Sequence, residues 1–245
     1  MSAPSIPSPR PFRAVLRRVV ALTEATKHFE WEILGAERFD FLAGQFLSMT
    51  LIRDAREHTR AYSIASPPRG DTRFDLCLNR VPGGLFSNFL CDLAPGAEIA
   101  FTAPHGFFTL QLPVERDPVF IATGTGIAPI RGILADLFAR GLDRGRDVWL
   151  LFGVRYPETI LYRDEFESLA RKHTNFHFVP TLSRPPTDWT GVRGYVQQQL
   201  RERFSGRRDF TAYICGLKAM VDDVRRILKE EFGLDRKQIR YEKYD

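Results

Sequence analysis

The pattern of apolar residues changes near residue 113, and this change constrains the fold more than any other feature of the chain. Before it, short runs rich in β-branched and aromatic residues recur between clusters of Gly, Pro and Asp, as is typical of a small antiparallel barrel or sandwich. We predict strands at residues 15–20, 28–33, 45–51, 59–64, 74–78 and 98–102, and one helix at residues 84–92. Residues 1–112 are therefore expected to form an antiparallel β-barrel domain with one short helix.

After the change, apolar runs alternate with longer segments of helical periodicity, which predicts a doubly wound parallel sheet with helices on both faces. We predict strands at residues 118–123, 148–154, 176–182, 210–215 and 239–244. The predicted helices span residues 128–140, 158–172, 195–204 and 219–232. Residues 113–245 are therefore expected to form an α/β domain.

Composition argues against several classes of protein. No apolar run approaches the roughly 18 residues of a membrane span. The three cysteines, Cys77, Cys91 and Cys215, form no C-x-x-C pair, which argues against a zinc ribbon, an iron–sulfur cluster and a disulfide scaffold. The net charge of +5 is spread over small arginine groups interrupted by acidic residues, as on solvated surfaces rather than nucleic-acid sites. We expect a cytoplasmic monomer without a metal.

The acid-free stretch before Glu24 has two interpretations. Its serines and arginines fit an organelle transit peptide, whereas its apolar residues 14–22 fit a β-strand that leads directly into the next one. We favour the strand.

Glycines and polar residues follow the predicted parallel strands at their carboxyl ends, where such sheets bind ligands. Residues 123–129 read TGTGIAP, so a flexible backbone and a helix N-terminus are available to a diphosphate, although Gly-rich turns of this kind are common. Cys215 ends another strand, and is either a small core residue or the neighbour of a ligand's reactive end.

A third strand end carries a hydroxyl and two guanidinium groups, which suit a phosphomonoester. These groups belong to Ser183, Arg184 and Arg193, and Tyr195 offers a ring for a purine. No acidic residue occupies residues 181–184 to bind a ribose hydroxyl, which favours NADP over NAD. The alternative is that these side chains are only loop surface.

The barrel half contains a second candidate phosphate site. Arg60 and Tyr62 alternate onto one face of a strand, where a guanidinium can bind a phosphate while the ring covers a flat heterocycle. Residues 83–87 (GGLFS) open the predicted helix and offer amides and a hydroxyl to an anion. Two phosphate sites, one per domain, predict two phosphorylated cofactors that meet at a cleft.

Together these segments resemble the ferredoxin–NADP reductase family of the plant-like type, from about residue 13 to the C-terminus. Residues 60–66 (RAYSIAS) resemble its flavin motif, and residues 84–93 (GLFSNFLCDL) its pyrophosphate helix. Residues 124–129 (GTGIAP) match its nicotinamide-nucleotide loop. The set is completed by segments at residues 183–184 (SR), 193–197 (RGYVQ), 215–216 (CG) and 241–244 (YEKY).

The resemblance implies an FAD site in the barrel. Arg60 would pair with the FAD pyrophosphate, Tyr62 would stack on the flavin, and Ser63 would hydrogen-bond near flavin N5. The remaining implied FAD ligands are Gly84, Leu85, Phe86 and Ser87.

The resemblance also implies an NADP(H) site. Its implied ligands are Gly124, Thr125 and Gly126 for the diphosphate, and Ser183, Arg184, Arg193, Tyr195 and Gln197 for the 2′-phosphate and adenine. Cys215 and Gly216 would lie beside the nicotinamide. Glu242 would tune charge or relay a proton, and Tyr244 would cover the second face of the flavin.

The implied activity is hydride transfer between NADPH and FAD, with single electrons exchanged with ferredoxin or flavodoxin. One residue departs from the plant-like pattern: Asp245 follows Tyr244, whereas those members end on the stacking tyrosine. Oxygenase and flavohaemoglobin-type reductases often continue past this aromatic. The alternatives are therefore the reductase component of an oxygenase or another electron-transfer system, and a non-catalytic flavin-binding subunit.

Overall fold

The computed structural model describes residues 8–244, which form two compact units. The first unit comprises the described residues up to Leu110 together with Arg131–Ala139, and the second comprises Gln111–Ile130 together with residues 140–244. Asp245 and the first seven residues of the predicted barrel domain lie outside the described residues. Within residues 8–244, no helix has the length and apolar character needed to cross a membrane.

The first unit contains a six-stranded antiparallel sheet in the order β4-β3-β6-β1-β2-β5. Its elements are β1 (Arg10–Ala21), β2 (Thr26–Leu34), β3 (Phe46–Arg53), β4 (Arg56–Ser63), β5 (Arg73–Asn79), α1 (Leu85–Asp92) and β6 (Glu98–His105). An antiparallel bridge between Ile64 and Leu76 links the continuation of β4 to β5, the opposite edge strand. The sheet therefore curls into the predicted barrel.

Residues of this sheet alternate between a buried face and a face that is partly exposed to solvent. Along β2, buried residues such as Phe29, Trp31 and Ile33 alternate with partly exposed ones. The buried faces enclose an aromatic core in which Phe39 packs edge-on against Phe12 and Phe74, with ring centroids 5.0 and 5.3 Å apart. This core supports β4 and α1, which carry the predicted flavin residues.

The second unit contains a six-stranded parallel sheet in the order β10-β9-β8-β7-β11-β12. Its strands are β7 (Asp117–Thr123), β8 (Val148–Val154), β9 (Phe176–Leu182), β10 (Val192–Arg193), β11 (Phe210–Leu217) and β12 (Ile239–Tyr244). The helices of this part of the chain are α2 (Ile127–Ala139), α3 (Arg163–Lys172), α4 (Val196–Phe204) and α5 (Lys218–Glu230). The order places β7, β8, β9 and β11 inside the sheet, where their carboxyl ends are adjacent.

Burial on both faces explains the unbroken apolar runs of the central strands. Every residue of β7 except Thr123 is buried, and so is every residue of β11 except Leu217. On α5 the buried residues recur at helical spacing, as expected for a helix that packs one side on a sheet: Met220, Val221, Val224, Ile227 and Leu228.

The predicted elements are all present, but one helix is shorter than expected. The helix predicted over residues 158–172 is a 3₁₀ turn at Pro157–Thr159 followed by α3, which starts only at Arg163. Tyr162 has a left-handed φ of 56°, a conformation that a continuous α-helix does not contain. The two-residue strand β10 was not predicted, because Val192 and Arg193 lack a local pattern. The first strand also starts earlier than predicted, at Arg10.

Candidate functional site

The loop after β7 packs so closely on β11 that it has no room for a side chain at Gly126. Gly124–Gly126 form a 3₁₀ turn that runs into α2. A Cβ atom on Gly126 would lie 2.3 Å from the Cys215 carbonyl oxygen, and one on Gly216 would lie 2.4 Å from Thr123 Oγ1. Gly216 also has a positive φ of 142°. The glycines therefore bring the carboxyl ends of β7 and β11 together and leave backbone amides at a helix N-terminus, which suits a diphosphate.

Buried polar atoms at the carboxyl ends of these strands are unsatisfied among the described residues. Thr123 Oγ1 and Thr181 Oγ1, at the ends of β7 and β9, have no hydrogen-bond partner there. Neither has Gln197 Oε1 at the start of α4. Unpaired buried polar atoms are costly, so their concentration at one edge of the sheet fits a polar ligand that would satisfy them. The residues present fit a nicotinamide nucleotide.

Cys215, Glu242 and Tyr244 come together in the second unit. Cys215 and Glu242 are partners in the β11–β12 register, and the Tyr244 hydroxyl hydrogen-bonds to the Cys215 thiol. Burial, followed by the Glu242 carboxylate, raises the pKa of the Cys215 thiol against the opposing effect of that hydrogen bond. The thiol is fully buried and stays protonated, which fits a small neutral neighbour of a ligand rather than a nucleophile.

The predicted 2′-phosphate residues flank β9 and β10. Ser183 and Arg184 are placed by backbone hydrogen bonds to the carbonyl oxygens of Val154 and Arg155, both 3.0 Å long, and Arg184 is exposed. Tyr195, at the N-terminus of α4, is 67% exposed and presents its ring to solvent.

Arg193 has a different environment from Arg184. Its Nη2 donates to the carbonyl oxygens of Pro186, Thr187 and Trp189 at 3.3, 3.1 and 2.7 Å. The structure therefore gives Arg193 a local role in holding this loop.

In the first unit, the flavin-motif strand points its side chains as the sequence predicts. Arg60 and Tyr62 pair with the buried residues Met49 and Leu47 of β3, so their side chains lie on the core face of the sheet. Tyr62 packs partly against the aromatic core, and burial raises the pKa of its phenol. Ser63 is buried on the other face.

Helix α1 lies beside Arg60 and offers a second anion site. The Arg60 guanidinium carbon is 6.0 Å from the centroid of the Phe86 ring. Gly84 precedes the helix, and a Cβ atom there would lie 2.5 Å from Ser87 Oγ. No side chain caps the N-terminus of α1, so its first amides at Leu85 and Phe86 are available to a phosphate. Arg60 and the N-terminus of α1 therefore fit a pyrophosphate, which they would hold.

The sequence analysis missed three residues next to these sites: Asp75, Arg131 and Gly153. Asp75 and Arg131 form a buried charge cluster directly beyond the flavin motif. A Cβ atom on Gly153 would lie 2.8 Å from Val196 Cγ1, so this glycine brings α4 close to β8. An aspartate in an apolar strand run, as in the segment FDLCL, is the one sequence signal that marks Asp75.

Comparison with known proteins agrees with this arrangement of two cofactor-binding units. The oxidoreductase FAD-binding domain family matches residues 13–110, and the oxidoreductase NAD-binding domain family matches residues 120–226. The fold and the two sites therefore define an oxidoreductase that uses FAD and a nicotinamide nucleotide.

Similarity to individual proteins shows which family of oxidoreductases the chain belongs to. The chain is 40% identical to ferredoxin–NADP reductase B of Sorangium cellulosum over 96% of its own length and 98% of that protein. It is 30% identical to the reductase component of phenol 2-monooxygenase of a Pseudomonas strain, over 86% of its own length but only 59% of that protein. The chain belongs to the ferredoxin–NADP reductase family.

A solved structure supports the same fold. The crystal structure of a cytochrome P450 reductase from Amycolatopsis superposes with a TM-score of 0.86 at 29% identity, covering 96% of this chain and 70% of that one. The predicted fold class is confirmed, and so are the predictions of an FAD-dependent oxidoreductase and of its family.

Proposed function

We propose that this protein is an NADPH-dependent reductase of ferredoxin or flavodoxin. The observation that carries the proposal is the 40% identity to a ferredoxin–NADP reductase, which extends over nearly the whole of both chains. Ser183 and Arg184, without a carboxylate beside them, support NADP(H) as the nucleotide. The net charge of +5 favours association with acidic electron carriers. The expected cytoplasmic location, the domain boundaries at residues 112 and 113, and the monomeric state stay predictions.

Each unit contributes side chains that bind and orient one cofactor. When bound, FAD supplies a ring that accepts a hydride and releases electrons one at a time. Arg60 and the amides of Leu85 and Phe86, with Ser87 Oγ, bind its pyrophosphate. Tyr62 would orient the ring by stacking, and the Ser63 hydroxyl would hydrogen-bond near flavin N5.

The residues of the second unit bind and orient the nucleotide. Gly124, Thr125 and Gly126 bind its diphosphate through backbone amides. Cys215 provides a small, uncharged surface beside the nicotinamide, and the buried position of the thiol excludes water there. Glu242 holds a negative charge or a proton next to that position, and Tyr244 supplies a further aromatic ring.

The adenosine end of the nucleotide determines which coenzyme is used. Ser183 and Arg184 bind the 2′-phosphate, while Tyr195 stacks on the adenine and Gln197 supports it. In this proposal Gly216 acts through the close packing of its backbone, and Arg193 acts through its guanidinium, which holds the adjacent loop.

A second candidate is the reductase component of an oxygenase. The similarity to a phenol 2-monooxygenase reductase component and to a cytochrome P450 reductase favours it. In that case the same FAD and nucleotide sites operate with NADPH or NADH, and the electron acceptor differs.

Rapid mixing with nucleotides and a panel of acceptors tests both candidates. The FAD-loaded protein is mixed with NADPH or NADH while flavin absorbance is followed, and is then titrated with ferredoxin, flavodoxin and an oxygenase component. We expect rapid bleaching with NADPH and turnover with ferredoxin or flavodoxin. Turnover with the oxygenase component alone would select the second candidate, and no bleaching would indicate a non-catalytic flavin-binding subunit.

A further inference from the structure

Directly after the flavin motif, the chain lies beside a cluster of charged side chains in the first unit, in which Asp75 and His28 are buried, Arg131 is half-buried and Arg69 is exposed. Asp75 on β5 is 3% exposed and accepts two hydrogen bonds from Arg69, at 3.0 and 2.8 Å. Nη1 of Arg131, on α2, donates to the same carboxylate at 3.2 Å. His28 Nε2 lies 3.8 Å from it. We call these four residues, Asp75, Arg69, Arg131 and His28, the Asp75 cluster.

The Asp75 cluster is hydrogen-bonded to Ala65 and Ser66, which lie two and three residues after Ser63. Arg131 Nη1 also donates to the carbonyl oxygen of Ala65 at 2.9 Å, so one nitrogen bridges the carboxylate and this backbone. The Ala65 amide donates to the Asp75 carbonyl oxygen at 2.8 Å, and the Asp75 amide donates to Ser66 Oγ at 3.0 Å. Ala65 and Ser66 are both fully buried.

Gly132, the next residue of α2, packs against the same backbone segment without space for a side chain. A Cβ atom on Gly132 would lie 2.7 Å from the Ser66 carbonyl oxygen and 3.4 Å from that of Ile64. The helix backbone therefore packs directly on the segment that follows Ser63. Tight packing of this kind transmits small displacements to neighbouring residues.

From this geometry we infer that Arg131 is a positioning residue for the flavin reaction, which acts by fixing Ser63 through Ala65 and Asp75. The inference rests on the proposed role of Ser63 at flavin N5. Its physical basis is that hydride transfer is sensitive to displacements of about 1 Å in the groups around the reacting atoms. Arg131 itself contacts neither cofactor in this proposal.

Replacement of Arg131 by Met and by Lys tests the inference. Met keeps the length of the side chain but donates to neither oxygen, whereas the Lys ammonium can reach both. We expect Arg131→Met to lower the rate of flavin reduction at saturating NADPH about tenfold, to shift the flavin absorption spectrum and midpoint potential, and to change the KM for NADPH less than twofold. Arg131→Lys should restore most of the rate. Arg201→Met removes an exposed ion pair with Glu231 in the second unit and should leave all three quantities unchanged.

Wild-type rate and spectrum in Arg131→Met would overturn the inference, even if its melting temperature fell. A Lys variant as slow as the Met variant would also overturn it. If Arg131→Met does not fold, Ser66→Ala removes the hydroxyl that anchors Asp75 and leaves the charges in place; it should slow flavin reduction in the same way, and a wild-type rate would count against the inference. Failure of the proposed function is distinguishable, because the wild-type protein itself would then not be reduced by NADPH.

Discussion

Cys215 and Glu242 lie opposite each other in the parallel register of β11 and β12, so a buried thiol and a carboxylate share one end of the sheet. The carboxylate contributes to the raised pKa of the Cys215 thiol and so helps keep it protonated. In the proposed nucleotide site, a larger side chain at position 215 would take space from the nicotinamide ring.

Removing the thiol should slow hydride transfer without affecting FAD content. In Cys215→Ala the neighbour of the nicotinamide is smaller, so the ring is less well oriented, and we expect the rate of flavin reduction to fall about tenfold. The matched control is Cys77→Ala, which removes a buried cysteine of the first unit. Stopped-flow absorbance measures both rates, and equal rates in wild type and Cys215→Ala would make Cys215 purely structural.

Replacing Arg184 should change the choice of nucleotide. Loss of a charge-assisted hydrogen bond to a phosphate costs about 1.5–3 kcal/mol, or roughly 10- to 150-fold in affinity. Arg184→Leu should therefore raise the KM for NADPH by that factor and leave the KM for NADH nearly unchanged. Arg171→Leu, an exposed residue of α3, serves as the control. Unchanged discrimination in steady-state assays would refute the role of Arg184.

The nucleotide loop should not tolerate a methyl group at Gly126. Its Cβ would overlap the Cys215 carbonyl oxygen at 2.3 Å, whereas a Cβ on Gly141 would meet no atom within 4 Å. Overpacking of a tight contact costs about 1–3 kcal/mol. We expect Gly126→Ala to lower both the free energy of unfolding, measured with urea, and the affinity for NADP(H). Gly141→Ala, which is strained only by its φ of +60°, should retain affinity; equal affinity in both variants would contradict the close packing.

His28 should make the protein less stable as the pH is lowered. Burial lowers the pKa of His28 below 6.5, although Asp75 and Glu30 oppose this and Arg131 and Arg69 add to it. The unfolded chain therefore binds a proton at this residue before the folded chain does, and the free energy of unfolding decreases as pH falls from about 6.5 towards the folded pKa. Burial raises the pKa of Asp75, but the hydrogen bonds from Arg69 together with the charges of Arg69, His28 and Arg131 lower it by more, so the contribution of Asp75 to stability is lost only in stronger acid.

Denaturant unfolding at several pH values measures this effect. Between about pH 6.5 and 5, we expect a flatter dependence in His28→Gln than in wild type. A wild-type slope in His28→Gln would show that other groups determine the acid sensitivity.

The sequence predicted the elements that local patterns determine. The strands at residues 148–154, 176–182 and 239–244 coincide with the predicted ranges. The first of them is a continuous apolar run, whereas the other two are marked by β-branched and aromatic residues. The start of α3 was wrong, since the left-handed Tyr162 is not recognisable from residue type. The Asp75 cluster was not predicted either: it joins His28, residues 69–75 and Arg131, and no local pattern reports contacts between positions so far apart.

The same limit applies to the nucleotide site. The type of residue at position 193 suggested a phosphate ligand, but the structure shows its guanidinium bonded to three carbonyl oxygens of its own loop. Its role in the bound state stays a prediction.

The hydrogen bonds of the Arg193 side chain bear on the free energy of coenzyme binding in the proposed site. Three carbonyl oxygens of residues 186–189 are tied to one guanidinium. In the proposed nucleotide site, less of the binding free energy would therefore be needed to order this part of the backbone. Affinity gained in this way needs no additional contact with the coenzyme.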